Sequence, residues 1–96
     1  MSCFFCGGKA EAKHHLLFGR GIRPLAEEDG QVIEVCNACH NMAVKPMDRI
    51  HENPIAEKLS KALGQALWEK DHIERYGVCA EVARDNFIDR YGRSYL

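Results

Sequence analysis

The sequence predicts a small α+β fold, and three observations carry the prediction. Two Cys-x-x-Cys pairs, Cys3/Cys6 and Cys36/Cys39, enclose residues 7–35. Two short β-prone runs lie between them, ahead of the second pair. From Asn53 onward apolar residues recur at helical spacing in two stretches, the first stopping at Gly77 and the second at Gly92. The expected architecture is a ββα finger over residues 1–45, stapled by a four-cysteine zinc site, with a two-helix extension over residues 53–96. Together they make a single domain.

A chain of 96 residues buries only about 60 to 65% of its unfolded surface. Scaffolds of this size gain stability from disulfides, a structural metal or association. Five cysteines beside eight aromatics (four Phe, three Tyr, one Trp) favour one of the first two. Met1-Ser2-Cys3 enters the first cysteine pair with no basic segment and apolar run, and nothing approaches the roughly 20 apolar residues of a membrane span. A cytoplasmic location with no membrane partner is expected. In a reducing compartment, paired Cys-x-x-Cys motifs favour metal over disulfide.

Taken in order, Cys3-Phe4-Phe5-Cys6-Gly7-Gly8 reads as a knuckle in which two thiolates reach one tetrahedral ion at about 2.3 Å. Cys36 and Cys39 supply the other two ligands. A redox Cys-x-x-Cys would need a βαβ context that is missing and would not need two copies. Cys36-Asn37-Ala38-Cys39-His40 also matches the c-type haem attachment pattern, but the second cysteine pair and the lack of an export segment argue against haem.

Lys13 to Phe18 reads as a short strand ending at Gly19-Arg20-Gly21. Adjacent histidines on a strand face opposite sides, so His14 and His15 can serve different ligands. A polar loop containing Glu27-Glu28-Asp29-Gly30 is expected to follow. Gln31 to Val35 reads as the second strand and delivers Cys36, and Cys36 to Ala43 opens a short helix that Lys45-Pro46 ends. Net charge is −1, which excludes a simple phosphate-coating protein, yet Lys9, Lys13, Arg20 and Arg23 cluster against one acid, Glu11.

Asn53-Pro54 is a good N-cap and N1 pair, and Ile55, Leu59, Ala62, Leu63, Ala66 and Leu67 form the apolar stripe of a long helix reaching Tyr76. Trp68 on its flank is expected in the core or an interface. A second helix is expected from Cys79 to Tyr91 with Val82, Ala83, Phe87 and Tyr91 as its stripe, Gly77 and Gly92 as C-terminal caps, and Cys79 a buried small apolar residue.

On Cys3, Cys6, His14, His15, Cys36, Cys39 and His40 the chain resembles the HNH, or ββα-metal, endonuclease superfamily in its zinc-stapled phage type. His14-His15-Leu16-Leu17-Phe18-Gly19, His51-x-Asn53 and Arg90-Tyr91-Gly92-Arg93-Ser94-Tyr95-Leu96 are also similar to small prophage proteins related to the RecA-dependent recombination-enhancement nucleases. The resemblance implies a metal-dependent DNA endonuclease in phage or prophage recombination. Its structural zinc would sit on Cys3, Cys6, Cys36 and Cys39. A catalytic magnesium or manganese would sit on His14 and His40, with His15 as the general base. Members usually carry Asn where this chain has Gln31, and often a further His where it has Val44, so Asn41 or His51 is expected to complete the ion's ligands. Lys9, Lys13, Arg20 and Arg23 would contact DNA phosphates. A recombination protein and a second copy docked through the C-terminal helices are the further partners expected. The alternative is a non-catalytic zinc-stapled nucleic-acid- or protein-binding module.

Overall fold

A computed structural model of the chain describes residues 1–43, 45 and 49–96. Val44 and Pro46, with Met47 and Asp48, lie outside the described residues, and with them the expected helix stop and one of the two departures from the HNH pattern. The fold is α+β: a two-stranded antiparallel sheet followed by helices, with the four cysteines drawn together.

Strand β1 (Ala12–His15) pairs with β2 (Val32–Val35), Ala12 facing Val35 and His14 facing Ile33. β1 is shorter than the expected Lys13–Phe18 strand. Leu16 and Leu17 leave the ladder and are fully enclosed, because the chain there turns under the helices instead of along the sheet. The expected loop is also corrected. Helix α1 (Arg23–Glu28) occupies much of it, started by Pro24 in the first turn and anchored by the wholly buried Ala26. After β2 the chain makes one wide helical turn, Ala38–Met42, in which Ala43 N–H reaches back five residues to Ala38 C=O at 3.1 Å.

Helix α2 (Pro54–Tyr76) begins as the sequence indicates, with Asn53 Oδ1 accepting from Ala56 N–H at 3.2 Å, and ends on Gly77 at φ 66°. Helix α3 (Ala80–Tyr91) ends on Gly92 at φ 87°. The face that α2 buries is not the apolar stripe. Ile55 is 73% exposed and Leu59 64%, and Ala66 and Leu67 are exposed as well. Ser60, Gly64, Gln65 and Glu69 point inward instead, because each polar side chain finds a partner there and Gly64 lets the backbone approach closely. A Cβ at Gly64 would stand 2.8 Å from Leu17 Cγ. On α3, Ala83, Phe87 and Tyr91 are buried, while Val82 is largely exposed. Cys79 is exposed at the N-cap of α3 and not buried, since the chain enters the helix there from an outer turn.

Two small cores result. Leu17, Ala26, Phe87 and Tyr91 form one, with Ile22, Leu25, Trp68 and Tyr95 around it. Trp68 meets Phe87 edge-on at 5.4 Å, which places it in this core as expected. The other holds Cys3, Val35 and Ile50 against Ala12, Ile33, Cys36 and Cys39, so the cysteine site shares this core with the sheet. Asp29, just after α1, ties the first core shut. It accepts from Trp68 Nε1 at 3.0 Å, from Arg90 Nε at 2.7 Å and from Tyr91 Oη at 2.5 Å. Those bonds hold its carboxyl below the ordinary range against the opposing pull of burial.

Candidate metal centres and cleft

The first centre is built by two turns. Cys3 C=O accepts from Gly7 N–H at 3.0 Å, and Gly8 N–H donates to Cys6 Sγ at 3.4 Å. On the second knuckle Cys39 N–H donates to Cys36 Sγ at 3.4 Å. The four ligand atoms lie within 4.8 Å of one another, and Cys6 and Cys36 Sγ are 3.7 Å apart. Tetrahedral zinc with bonds of about 2.3 Å separates its sulfurs by about 3.8 Å, so this edge already has the length the ion requires. The titration of the group agrees. The Cys6 amide and its neighbours bring Cys3 down to about 6, while burial and then the other sulfurs push Cys39 well above its ordinary range. Four sulfurs so close cannot all ionise unless a cation offsets their charge, so the donor set fits a structural metal such as zinc.

The second centre lies farther along the same face of the sheet, since His14 follows Ala12 by two positions and faces Ile33, and Ala12 and Ile33 both pack against the cysteine core. His14 is 1% exposed, in the middle of β1. Ser60 donates its hydroxyl proton to Leu16 C=O at 2.8 Å, so its oxygen accepts from His14 Nε2–H, also at 2.8 Å. That pins the tautomer and leaves the lone pair on Nδ1. Nδ1 is buried and has no hydrogen-bond partner among the described residues. An orphaned buried acceptor is costly unless something electropositive meets it. The His40 and His51 rings stand edge-on to the His14 ring at 5.3 and 5.1 Å, and the three residues offer ligand atoms within 4.8 Å of one another.

Backbone pairing delivers His51. Ile50 N–H donates to Cys39 C=O at 2.9 Å and His51 N–H to His40 C=O at 3.1 Å, which lays residues 50 and 51 along the turn that carries His40. Arg49 locks this arrangement through Ala43 C=O at 2.9 Å and His51 C=O at 3.1 Å. Glu52 takes positive φ (65°) in the tight connection to Asn53. The His40 and His51 Nε2 atoms are 3.0 Å apart, and Glu57 stands 3.6 Å behind His51 Nδ1. Burial, reinforced by the charges of His51, His40 and His15, lowers His14 to about 3. Burial, then His51, Arg23 and His15, lowers His40. These two rings are neutral donors at physiological pH, the form a metal ion takes. Asn41 is exposed and lines the same cleft.

His15, one pleat away, faces differently, as its strand position predicts. Its Nε2 meets Glu27 Oε2 on α1 at 2.5 Å. A cleft of about 320 Å³ joins the groups, lined by Lys13, His14, His15, Phe18, Arg23, His40, Asn41 and His51. Lys13 and Arg23 are therefore beside the histidines. Lys9 and Arg20 are exposed elsewhere and do not line it.

No family model, curated protein or solved structure matches this chain. The geometry stands by itself.

Among the described residues no helix is long and apolar enough to cross a membrane. Two participants escaped the sequence reading. Glu27 looked like part of a solvated acidic loop, and the signal that places it is Pro24 as a helix start after Arg23. Ser60 carries no sequence signal, since its partner is 46 positions away.

Proposed function

We propose that the protein is a metal-dependent DNA endonuclease of the HNH type, acting in phage or prophage DNA processing. One observation carries the reading: His14, whose buried Nδ1 has no partner among the described residues, belongs to a three-histidine group that shares its cleft with His15, Lys13 and Arg23. His14, His40 and His51 would hold the catalytic ion. Three imidazoles suit manganese or another transition ion better than magnesium, which prefers oxygen ligands. When bound, such an ion supplies Lewis acidity to a scissile phosphate.

The chain's own residues do the rest. Glu27 accepts the Nε2 proton of His15, which leaves Nδ1 as the base nitrogen that takes a proton from the attacking water. Lys13 and Arg23 would hold phosphates along the cleft wall. Ser60 holds His14 in one tautomer, while burial keeps the ring neutral. Zinc on Cys3, Cys6, Cys36 and Cys39 would fix the turn that presents His40.

The test is nicking of supercoiled plasmid with manganese or magnesium. Wild type should cleave, and His15→Ala should not, with zinc content and melting unchanged. Failure of wild type to cut single-stranded, duplex or branched DNA across several metals would leave a zinc-stapled binding module as the better reading.

A further inference from the structure

From Arg49 to Arg90 every arginine engages a carboxylate: Arg49 pairs with Glu52, Arg75 with Asp71, Arg84 with Glu69, and Arg90 with Glu28 and Asp29. Lys61 and Arg93 do not pair with any acid among the described residues. Aromatic rings hold them instead. Lys61 Nζ lies 4.7 Å above the Phe18 ring and 5.8 Å from Tyr95, and the Arg93 guanidinium lies 5.1 Å from the same Tyr95 ring. Phe18 also lines the histidine cleft, edge-on to His51 at 5.0 Å and to His14 at 5.5 Å. A strip of alternating rings and cations thus runs out of the cleft, on a different element from Lys13 and Arg23.

The strip is held in place from below. Gln65 is fully buried, and its amide spends both ends on the segment after α3. Its Oε1 accepts from Tyr95 N–H at 2.5 Å, and its Nε2 donates to Ser94 Oγ at 3.0 Å and to Glu69. A buried glutamine so used fixes Tyr95 and, through the ring, the two cations over it. Cations held against aromatic faces keep their charge while losing conformational freedom, which favours contact with a polyanion.

We propose that Lys61, Tyr95 and Arg93, reached over Phe18, form a second arm for an unpaired nucleic-acid strand. The strand leaves the histidine cleft over Phe18, where Lys61 stands above the ring. Its phosphates meet the two cations, and its bases, free of a complementary strand, turn onto the rings and the guanidinium plane. The arm rests on the DNA-cleaving role assigned to the cleft, and it specifies the substrate as DNA with a single-stranded tract at the cut.

The experiment measures binding of a fluorescein-labelled single-stranded DNA oligonucleotide and its duplex to zinc-loaded protein, without added magnesium or manganese, over a range of salt. Lys61→Gln with Arg93→Gln should weaken single-strand binding about tenfold and lower the salt slope by about 1.4, with a smaller loss on duplex. Tyr95→Ala should share the loss and Tyr95→Phe restore it. Lys58→Gln, an exposed cation off the strip, should change nothing. If the double variant binds like wild type while Lys13→Gln with Arg23→Gln binds weakly, the arm is wrong and the cleft stands. Equal loss on both forms of DNA overturns the unpaired-strand assignment. If wild type binds neither DNA, the cleft reading falls together with the arm.

Discussion

Ser60 on α2 accepts a 2.8 Å hydrogen bond from His14 on β1 across 46 positions of sequence. One hydroxyl therefore couples the helical half of the molecule to the histidine group. Ser60→Ala would strand two buried polar groups, His14 Nε2–H and Leu16 C=O. A loss of about 1 to 3 kcal/mol in unfolding free energy is expected. Manganese affinity, measured by calorimetry, should fall about tenfold as His14 loses its fixed tautomer. Unchanged manganese affinity would remove Ser60 from the site.

Gly64 sits one helical turn beyond Ser60. A Cβ there would be 2.8 Å from Leu17 Cγ and 3.1 Å from Leu16 Cβ. Alanine gains about 1 kcal/mol of helix propensity, but the clash forces α2 off the leucines at greater cost. Gly64→Ala should be net destabilising by on the order of 1 kcal/mol in denaturant melts and should weaken metal binding as Ser60 withdraws. A stabilised variant would show that the leucines yield.

His14 titrates at about 3 in the fold against an ordinary 6.5. Between those values the unfolded chain binds a proton that the folded chain refuses, so this group leaves stability intact above about pH 6.5 and erodes it as pH falls toward 3. Zinc-loaded protein without added catalytic metal should lose about 1 to 2 kcal/mol from this group between pH 6.5 and 5. His14→Asn should flatten that segment of the stability profile. A wild-type profile that is already flat would contradict the burial account.

Glu27→Gln tests the orientation of His15. The amide keeps the shape of the side chain and loses the full acceptor charge, so plasmid nicking should drop by up to the ~10²-fold that positioned proton transfer typically contributes. KM for DNA and zinc content should hold, and Glu27→Asp should recover part of the loss. An effect confined to KM would make Glu27 a substrate contact instead.

Cys39→Ser removes one sulfur from a core in which Cys3, Cys36 and Cys39 pack with Val35, Ile50, Ala12 and Ile33. Zinc should be lost and the finger should unfold, since such sites contribute on the order of 10 kcal/mol. Retained zinc with an unaltered melting curve would reject the four-cysteine assignment.

The readable parts of the sequence were those where a residue type has one local reason to be present. Asn53-Pro54 and Gly77 bounded α2, and the two cysteine pairs named a metal centre, because caps and ligand spacings are local chemistry. The strand period separated His14 from His15 for the same reason. The inward face of α2 was misread because it is polar. Ser60, Gln65 and Glu69 are buried through hydrogen bonds to distant residues, whereas Ile55 and Leu59 remain outside. Helix α1 was missed because its Arg23–Glu28 span is too short to show a period. His51 joined the histidines only through backbone pairing with residues 39 and 40, which spacing alone does not reveal.

The clamp on Asp29 has a bearing on the order in which the molecule comes together. Glu27, which orients His15, rides on α1. Arg90 and Tyr91 on α3, together with Trp68 on α2, hold α1 in place. Closing that loop spans 61 positions, so it follows the local closure of the knuckles and of β1 on β2. In a chain stopped short of α3, α1 would lack the Arg90 and Tyr91 bonds to Asp29, and Glu27 would lose the support that holds it against His15.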